Sequence, residues 1–306
     1  MRLAVLADIH SNLIALQAVL DDLRRDGGVN GIIVAGDSLG SGPYPAETLA
    51  LLRALPEPRR IIRGNREEYL LTHRDDPHLG HQWATLRWML TRLSPDDLED
   101  VAGWPDQCVV AMPGTAPVRV VHGSPRSVSE EMLPDDEAVL ALYRRSGMLS
   151  STPLSAGEML AGIDEAVLIC GHTHLPWQCA EGDRLVLNPG SVGEPFHGNP
   201  RAHYALLEWR GDRWQAVHRT VAYDLARLRE AYVETGLLEA GGAFSKACLF
   251  SCETGVNLAR RFVEYARRLA GDAGETGPNI SDASWTQAEA TFDWDAITPN
   301  PGHDRA

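Results

Sequence analysis

Apolar residues gather in this chain in two alternating patterns. Short apolar runs at 2–7, 31–35 and 166–170 have the length of strands, 31–35 reading as a buried parallel one, and 59–62 and 118–121 are two more strand-like segments. Between the first two, Leu13, Leu16, Leu20 and Leu23 repeat at helical spacing, and Ile14 and Val19 widen the stripe, so 11–25 reads as an amphipathic helix. Strand, helix and strand over 2–35 form a βαβ unit whose crossover should be right-handed. Pro45 suits the first turn of a further helix over 45–55. Strands at 107–112 and 118–121 flank a Pro113-Gly114 turn. Farther on, 183–187 and 203–208 read as antiparallel strands on either side of Asn188-Pro189-Gly190-Ser191-Val192-Gly193, and Gly211-Asp212 turns the chain into another strand at 214–220. The expectation is an α/β fold of two packed, mixed β-sheets flanked by helices, the second sheet the more antiparallel.

The helical stretches outside this frame serve as coverings. Residues 73–105 are rich in His and Trp; Trp83, Leu86 and Leu90 share helical spacing and predict a helix packed over the sheet, while Ser94-Pro95-Asp96-Asp97 caps a second one. Residues 126–160 are acidic and helical in pieces, at 135–143 and 155–160. Residues 1–222 would then form one domain, with 73–105 and 126–160 lying over it, followed by a helical extension at 223–270 with helices at 224–236 and 256–269. From 271 to 306 Gly, Pro, Asp and Glu rise; this acidic tail is expected to be poorly ordered, with Trp285, Phe292 and Trp294 able to pin it to the body or to a partner.

Polar residues interrupt the pattern where the strands end. Asp8-Ile9-His10, Gly36-Asp37, Gly64-Asn65, Val121-His122-Gly123 and Gly171-His172-Thr173-His174 each follow an apolar run. Singly, Asp8 is an ordinary helix cap, Asn65 an ordinary turn residue and His122 an ordinary core histidine. Together they supply carboxylates, an amide carbonyl and imidazoles, the donor mixture for two neighbouring divalent cations. In GHTH the two histidines stand two apart, which in a helix would part them and in an extended loop lets both converge. The loop Ser38-Leu39-Gly40-Ser41-Gly42-Pro43 lacks the Lys-Ser/Thr ending of a nucleotide P-loop and reads as a flexible wall; Ser124 has no nucleophile-elbow pattern around it, and Asn188 and Ser191 read as turn residues beside the site.

Composition narrows the function. Of the 306 residues 44% are hydrophobic and 23% charged, as in soluble globular proteins, with no stretch apolar enough to span a bilayer and a first strand that begins at once; the reading is a cytoplasmic protein without a membrane partner. The formal charge of −14 disfavours a nucleic-acid partner but not a small phosphorylated substrate, whose charge metals neutralise locally. Cys108, Cys170, Cys179, Cys248 and Cys252 form no CxxC pair, and their odd number fits a reducing compartment.

In order and spread, these clusters resemble the calcineurin-like metallophosphoesterase superfamily, whose blocks read DxH, GDxxxxG, GNH[DE], a strand-end His and GHxH. Asn188-Pro189-Gly190-Ser191-Val192-Gly193 is similar to the compact bacterial phosphoesterase branch. The resemblance covers about residues 1–220 and implies a four-layer sandwich. It further implies a dinuclear centre, with Asp8, His10 and His174 on one metal, Asn65, His122 and His172 on the other, and Asp37 bridging. The cofactors would be two divalent ions of Mn, Fe, Ni or Zn, and the reaction hydrolysis of a phosphomonoester or phosphodiester by metal-activated water, with activity lost at acidic pH. Asp37, Asn65, Arg66 and His122 are the residues it makes catalytic; a homo-oligomer is compatible.

Arg66 departs from the pattern, standing where many relatives have histidine. Arginine binds phosphate but cannot act as a general acid in water. The departure points to a good leaving group, to another donor such as His81, or to the alternative reading, a catalytically weak metal-binding scaffold of the same fold.

Overall fold

The computed structural model describes residues 1–146 and 152–294. Two five-stranded sheets face one another. The first has the order β10 (Arg213–Val221), β9 (Ala202–Arg210), β1 (Arg2–Leu6), β2 (Gly31–Ala35), β3 (Arg59–Ile62), with β1, β2 and β3 parallel and β9 antiparallel to both its neighbours. The second runs β4 (Gln107–Val110), β5 (Val118–Val121), β6 (Val167–Ile169), β8 (Arg184–Pro189), β7 (Pro176–Glu181); β5, β6 and β8 are parallel and the outer strands antiparallel.

The alternation of side chains along β1 shows why the run is apolar throughout. Leu3, Val5 and Ala7 join Ile33 and Ala35 in the core between the sheets, opposite Val118, Val120, Val167 and Ile169. Ala4 and Leu6 point the other way, with Ile32 and Val34, onto Leu16, Val19, Leu20 and Leu23 of α1 (Leu13–Arg25). The outer face of the second sheet is covered by α6 (Glu137–Arg145) and α7 (Ala156–Met159), through Leu140, Tyr143 and Met159. The layers are thus helix, sheet, sheet and helix.

Several expectations are corrected. Residues 183–187 and 203–208 do not pair across the Asn188–Gly193 segment; β8 lies in the second sheet and β9 crosses to the first. That segment is a bridge and not a hairpin turn, since Val192 and Gly193 donate their amides to the carbonyls of Ala7 and Asp8, at 3.0 Å each. Residues 202–207 of β9 are buried without interruption, so both faces of the strand are covered, and its edges pair with β1 and β10. Both sheets are therefore mixed, and the antiparallel character does not gather in the second. β7 went unpredicted although Trp177 and Cys179 alternate with exposed neighbours.

The helix carrying Trp83 and Leu86 does not lie over a sheet. A 3-10 turn (His81–Trp83) leads into α4 (Ala84–Leu90), which packs on α9 (Leu237–Thr254), Thr85 Oγ1 lying 2.9 Å from Ser245 Oγ. α9 itself was not expected, because Gly241-Gly242 breaks its apolar period; the helix kinks there, Gly242 having φ 56°. Cys248 and Cys252 are buried core residues on it. α8 (Leu225–Glu234) and α10 (Leu258–Asp272) match the predicted helices of the extension within a few residues. Beyond 271, α11 (Asp282–Thr291) is ordered against α10, with Trp285 buried edge-on against Phe262 at 5.0 Å and Trp294 stacked on that ring at 5.5 Å. Positions 147–151 of the predicted covering segment and 295–306 of the predicted tail lie outside the described residues.

Candidate metal centre

The carboxyl ends of β1, β2, β3, β5 and β6 converge on one edge of the sandwich and deliver Asp8, Asp37, Asn65, His122 and His172 there. The turns that follow the strands are strained. Among the described residues only seven besides glycine have positive φ, and five of these are Asp8 (54°), His10 (51°), Asp37 (50°), His172 (68°) and His174 (58°). Each such conformation costs on the order of 1–3 kcal/mol, so the adjoining structure must impose it. The strand ladder does so by continuing into the loops: Asp8 N donates to Gly36 O at 3.1 Å, His10 N to Asp37 O at 3.0 Å, and Gly171 N to His122 O at 2.7 Å. Gly64 is required by close approach, since a Cβ there would lie 2.1 Å from Asp37 Oδ1 and 2.8 Å from His122 Nε2.

The side chains meet in two groups that share Asp8: Asp8 with His10 and His174, and Asp8 with Asp37 and His122. In the first, the Nε2 atoms of His10 and His174 are 3.1 Å apart. Two imidazole nitrogens bound to one cation at about 2.0–2.1 Å stand roughly 3 Å apart, the spacing found. In the second, His122 Nε2 is 3.4 Å from Asp37 Oδ1 and 3.1 Å from Asn65 Oδ1. The other oxygen of Asp37, Oδ2, is 3.7 Å from His10 Nε2, so this carboxylate faces both groups. Asp8 does the same, its Oδ1 lying 3.4 Å from His174 Nε2 and 3.9 Å from the Nε2 atoms of both His10 and His122. His172 stands beside the second group, its ring edge-on to His122 at 5.2 Å and its backbone N–H on Asp8 Oδ2 at 3.1 Å.

The donor set fits divalent cations. Asp8 Oδ1 is fully buried, has no hydrogen-bond donor, and is surrounded by imidazole nitrogens. A buried carboxylate oxygen left in that state is costly, and a cation satisfies it. The imidazoles are oriented to ligate: His122 Nδ1 is 2.8 Å from the Ala35 carbonyl and His174 Nδ1 is 2.5 Å from the Glu194 carbonyl, so an Nδ1–H donated to each frees Nε2. Burial pushes His10 down to about 3, His172 to about 4 and His174 well below its ordinary value, which keeps these rings neutral. Burial would lower His122 as well, but its pairing with the Asp37 carboxylate, together with the Asp8 carboxylate and the Ala35 carbonyl, outweighs it and raises the imidazole to about 10. The same pairing holds Asp37 far below the usual carboxylate range in spite of its burial, while burial drives Asp8 well above it.

Three residues to which the sequence reading gave no role support the centre. Glu67 lies beneath it, fully buried, accepting the amide N–H of Asp37 at 3.0 Å, of Leu39 at 2.8 Å and of Gly64 at 2.7 Å. Burial, then the Asp37 charge, pushes its carboxyl up to about 7. Its position inside the GN-x-E block was the available signal. Glu194 and Phe196 follow the Asn188–Gly193 segment: Phe196 stacks on His174 at 4.2 Å, and Glu194 accepts from Ser41 Oγ at 3.1 Å with its other oxygen unpartnered. Asn188 and Ser191 are the turn residues expected, Asn188 Nδ2 holding Gly171 O at 2.7 Å and Ser191 Oγ holding Asp8 O at 2.7 Å. Above the donors opens a cleft of about 550 Å³, lined among others by Asp37, Asn65, Arg66, His172, His174 and Glu194. His81 is not in it; it lies on the surface, its backbone N–H on Asp282 Oδ1 at 2.6 Å.

A family model for the calcineurin-like phosphoesterase superfamily domain matches residues 1–212. The chain belongs to that superfamily. Within it, the compact phosphoesterases form its branch. An uncharacterized protein of Methanocaldococcus jannaschii is 26% identical over 255 residues, which are 78% of this chain and 94% of that protein. Phosphodiesterase YfcE of Escherichia coli is 28% identical over 212 residues, 68% of this chain and 88% of its own. Among solved structures, a metallophosphoesterase from Sphaerobacter thermophilus superposes with a TM-score of 0.61 at 28% identity, covering 84% of this chain and all 100% of that one. With two candidate metal-binding clusters on this phosphoesterase fold, the chain has the equipment of a metal-dependent hydrolase. Among the described residues no helix is long and apolar enough to cross a membrane.

Proposed function

We propose that the chain hydrolyses a phosphomonoester or phosphodiester, with water as the nucleophile. The observation that carries the reading is the buried, donorless Oδ1 of Asp8 between the Nε2 atoms of three histidines. Asp8, His10 and His174 would hold one divalent cation and Asn65, His122 and His172 a second, with Asp37 between them. When bound, such a pair supplies Lewis acidity toward a phosphoryl oxygen and lowers the pKa of water.

The chain's own groups do the rest. Asp37 brings negative charge that offsets the cations, His10, His172 and His174 ligate as neutral rings, and Asp8 and His122 would give up their protons on binding. Arg66, at the rim of the cleft with its guanidinium 5.8 Å from the Phe244 ring, orients the substrate by charge-assisted hydrogen bonds to phosphoryl oxygens. It cannot protonate the leaving group, so esters of acidic alcohols should react best. Manganese, iron, nickel and zinc are all compatible with the mixed oxygen and nitrogen donors.

The test is hydrolysis of aryl phosphate mono- and diesters after loading with each of these metals. Turnover above an Asp37→Asn control supports the reading; turnover no greater than that control with every metal overturns it. In the second outcome Arg66, in the place of a proton-donating histidine, favours a metal-binding scaffold that is catalytically weak.

A further inference from the structure

Beside the metal cleft lies a second cavity of about 190 Å³. Arg66, Tyr69, Phe244 and Val263 line both spaces, which therefore meet at these side chains. The rest of the wall comes from segments outside the strand-end clusters: Trp83, Leu86 and Met89 from the 3-10 turn and α4, Arg267 from α10, Pro278, and Trp285 from α11.

The polar groups of the wall are mostly satisfied by the protein. Thr85 pairs with Ser245, Ser41 donates to Glu194, and Gln82 is engaged at both ends, its Nε2 donating to Asn279 Oδ1 at 2.7 Å and its Oε1 accepting from Ile280 N at 3.1 Å. Exceptions are Trp83 Nε1, buried without a hydrogen-bond partner, and the two cations: neither the Arg66 nor the Arg267 guanidinium makes a hydrogen bond or ion pair among the described residues. No Asp or Glu lines the cavity, although the chain carries a formal charge of −14. The space is thus apolar and aromatic in its walls and positive at its free polar groups.

We propose that this cavity takes the leaving group of the substrate and that this group carries a planar aromatic ring. The inference rests on the phosphoester reading of the adjoining centre. A cavity of ~150 Å³ lined by apolar side chains suffices for a benzene ring, so this one admits a ring with a polar substituent. Tyr69, Trp83, Phe244 and Trp285 offer ring faces and edges, and a guanidinium plane stacks on an aromatic ring or donates to acceptor atoms on it. A small alkyl leaving group would leave the cavity unfilled and the Arg267 guanidinium without a ligand partner.

Binding and turnover test this separately in the metal-loaded protein. For binding, the probes are 1-naphthylmethylphosphonate and ethylphosphonate, which cannot be hydrolysed, titrated by calorimetry and by quenching of tryptophan fluorescence, since Trp83 and Trp285 line the cavity. The naphthyl ligand should bind at least thirtyfold tighter. Leu86→Trp, which fills the space, should remove most of that advantage and change ethylphosphonate affinity less than twofold. Should Leu86→Trp fail to fold, Arg267→Ala, at an exposed residue without a partner among the described residues, should weaken the naphthyl ligand alone by threefold or more. For turnover, 2-(1-naphthyl)ethyl phosphate is compared with ethyl phosphate; both leave as primary alcohols, so a higher kcat/KM for the first reports the ring. Equal affinity for the two phosphonates in the native chain, or an advantage untouched by a folded variant, overturns the proposal. A ring preference in binding with neither alkyl ester hydrolysed while an aryl phosphate is turned over keeps the aromatic cavity and overturns its leaving-group role; no turnover of an aryl phosphate either overturns the phosphoester reading with it.

Discussion

The Nε2 atoms of His10 and His174 face each other at 3.1 Å, although 164 positions separate the two residues in the chain. Neither ring is charged when buried this way, so the pair is two lone pairs aimed at a common point. His174→Ala should therefore reduce bound metal from two ions to one per chain, measured by elemental analysis after manganese loading and desalting. Retention of both ions would remove His174 from the centre.

Arg66 should act on binding more than on chemistry. A charge-assisted hydrogen bond contributes about 1.5–3 kcal/mol, so Arg66→Ala is expected to raise KM for an aryl phosphate roughly ten- to a hundredfold with a smaller change in kcat. Arg66→Lys should recover part of the loss, because it keeps the charge without the planar fork. Steady-state kinetics separates the two parameters; a fall in kcat alone would contradict a role in orienting phosphate.

Glu67 ties three loop amides to one buried side chain. Glu67→Ala leaves three buried N–H groups unpaired at about 1–3 kcal/mol each. The expected loss of stability is about 3 kcal/mol or more, read from urea denaturation, with metal content falling because Asp37 sits on this scaffold. A loss under about 1 kcal/mol would show that water replaces the carboxylate.

His203 predicts an acid limb in stability unrelated to the metals. Its ring is buried with both nitrogens unpartnered, and burial, reinforced by the charges of His197 and His218, lowers it to about 3. The unfolded chain takes up this proton as pH falls below about 6.5, whereas the folded chain does so only near 3. The stabilisation is therefore complete above pH 6.5 and is lost on acidification across that window, by about 2 kcal/mol at pH 5. Urea midpoints at pH 5 and 7.5 should lie closer together in His203→Leu than in the native chain.

Much of this molecule is legible from the chain alone. The apolar runs of β1, β2 and β6 are short and nearly unbroken because those strands are covered on both faces, and a strand-end polar residue is conspicuous against such a run. That is why Asp8, His10, Asp37, Asn65, His122, His172 and His174 read as one set in the sequence. α9 and β7 were hidden by local composition: a Gly-Gly pair interrupts the helical period of the first, and the second follows the GHTH loop without a turn signal.

Tertiary structure decided what depends on distance and on the loss of water. Which strands pair is not written in their alternation: β8 and β9 are both buried along most of their length, yet β8 lies in the second sheet and β9 in the first. The sharing of Asp8 between the two donor groups, the left-handed turns that aim the ligands, and the Glu67 support arise only where separate loops meet. The same holds for the aromatic cavity, assembled from α3 (Asn65–His73), α4, α9, α10 and α11, of which only α4 and α10 are legible as helices in the sequence. Sequence determines the chemical type and order of the donors because each is set by its own strand end; their common point, and the space beside it, exist only once those ends are packed together.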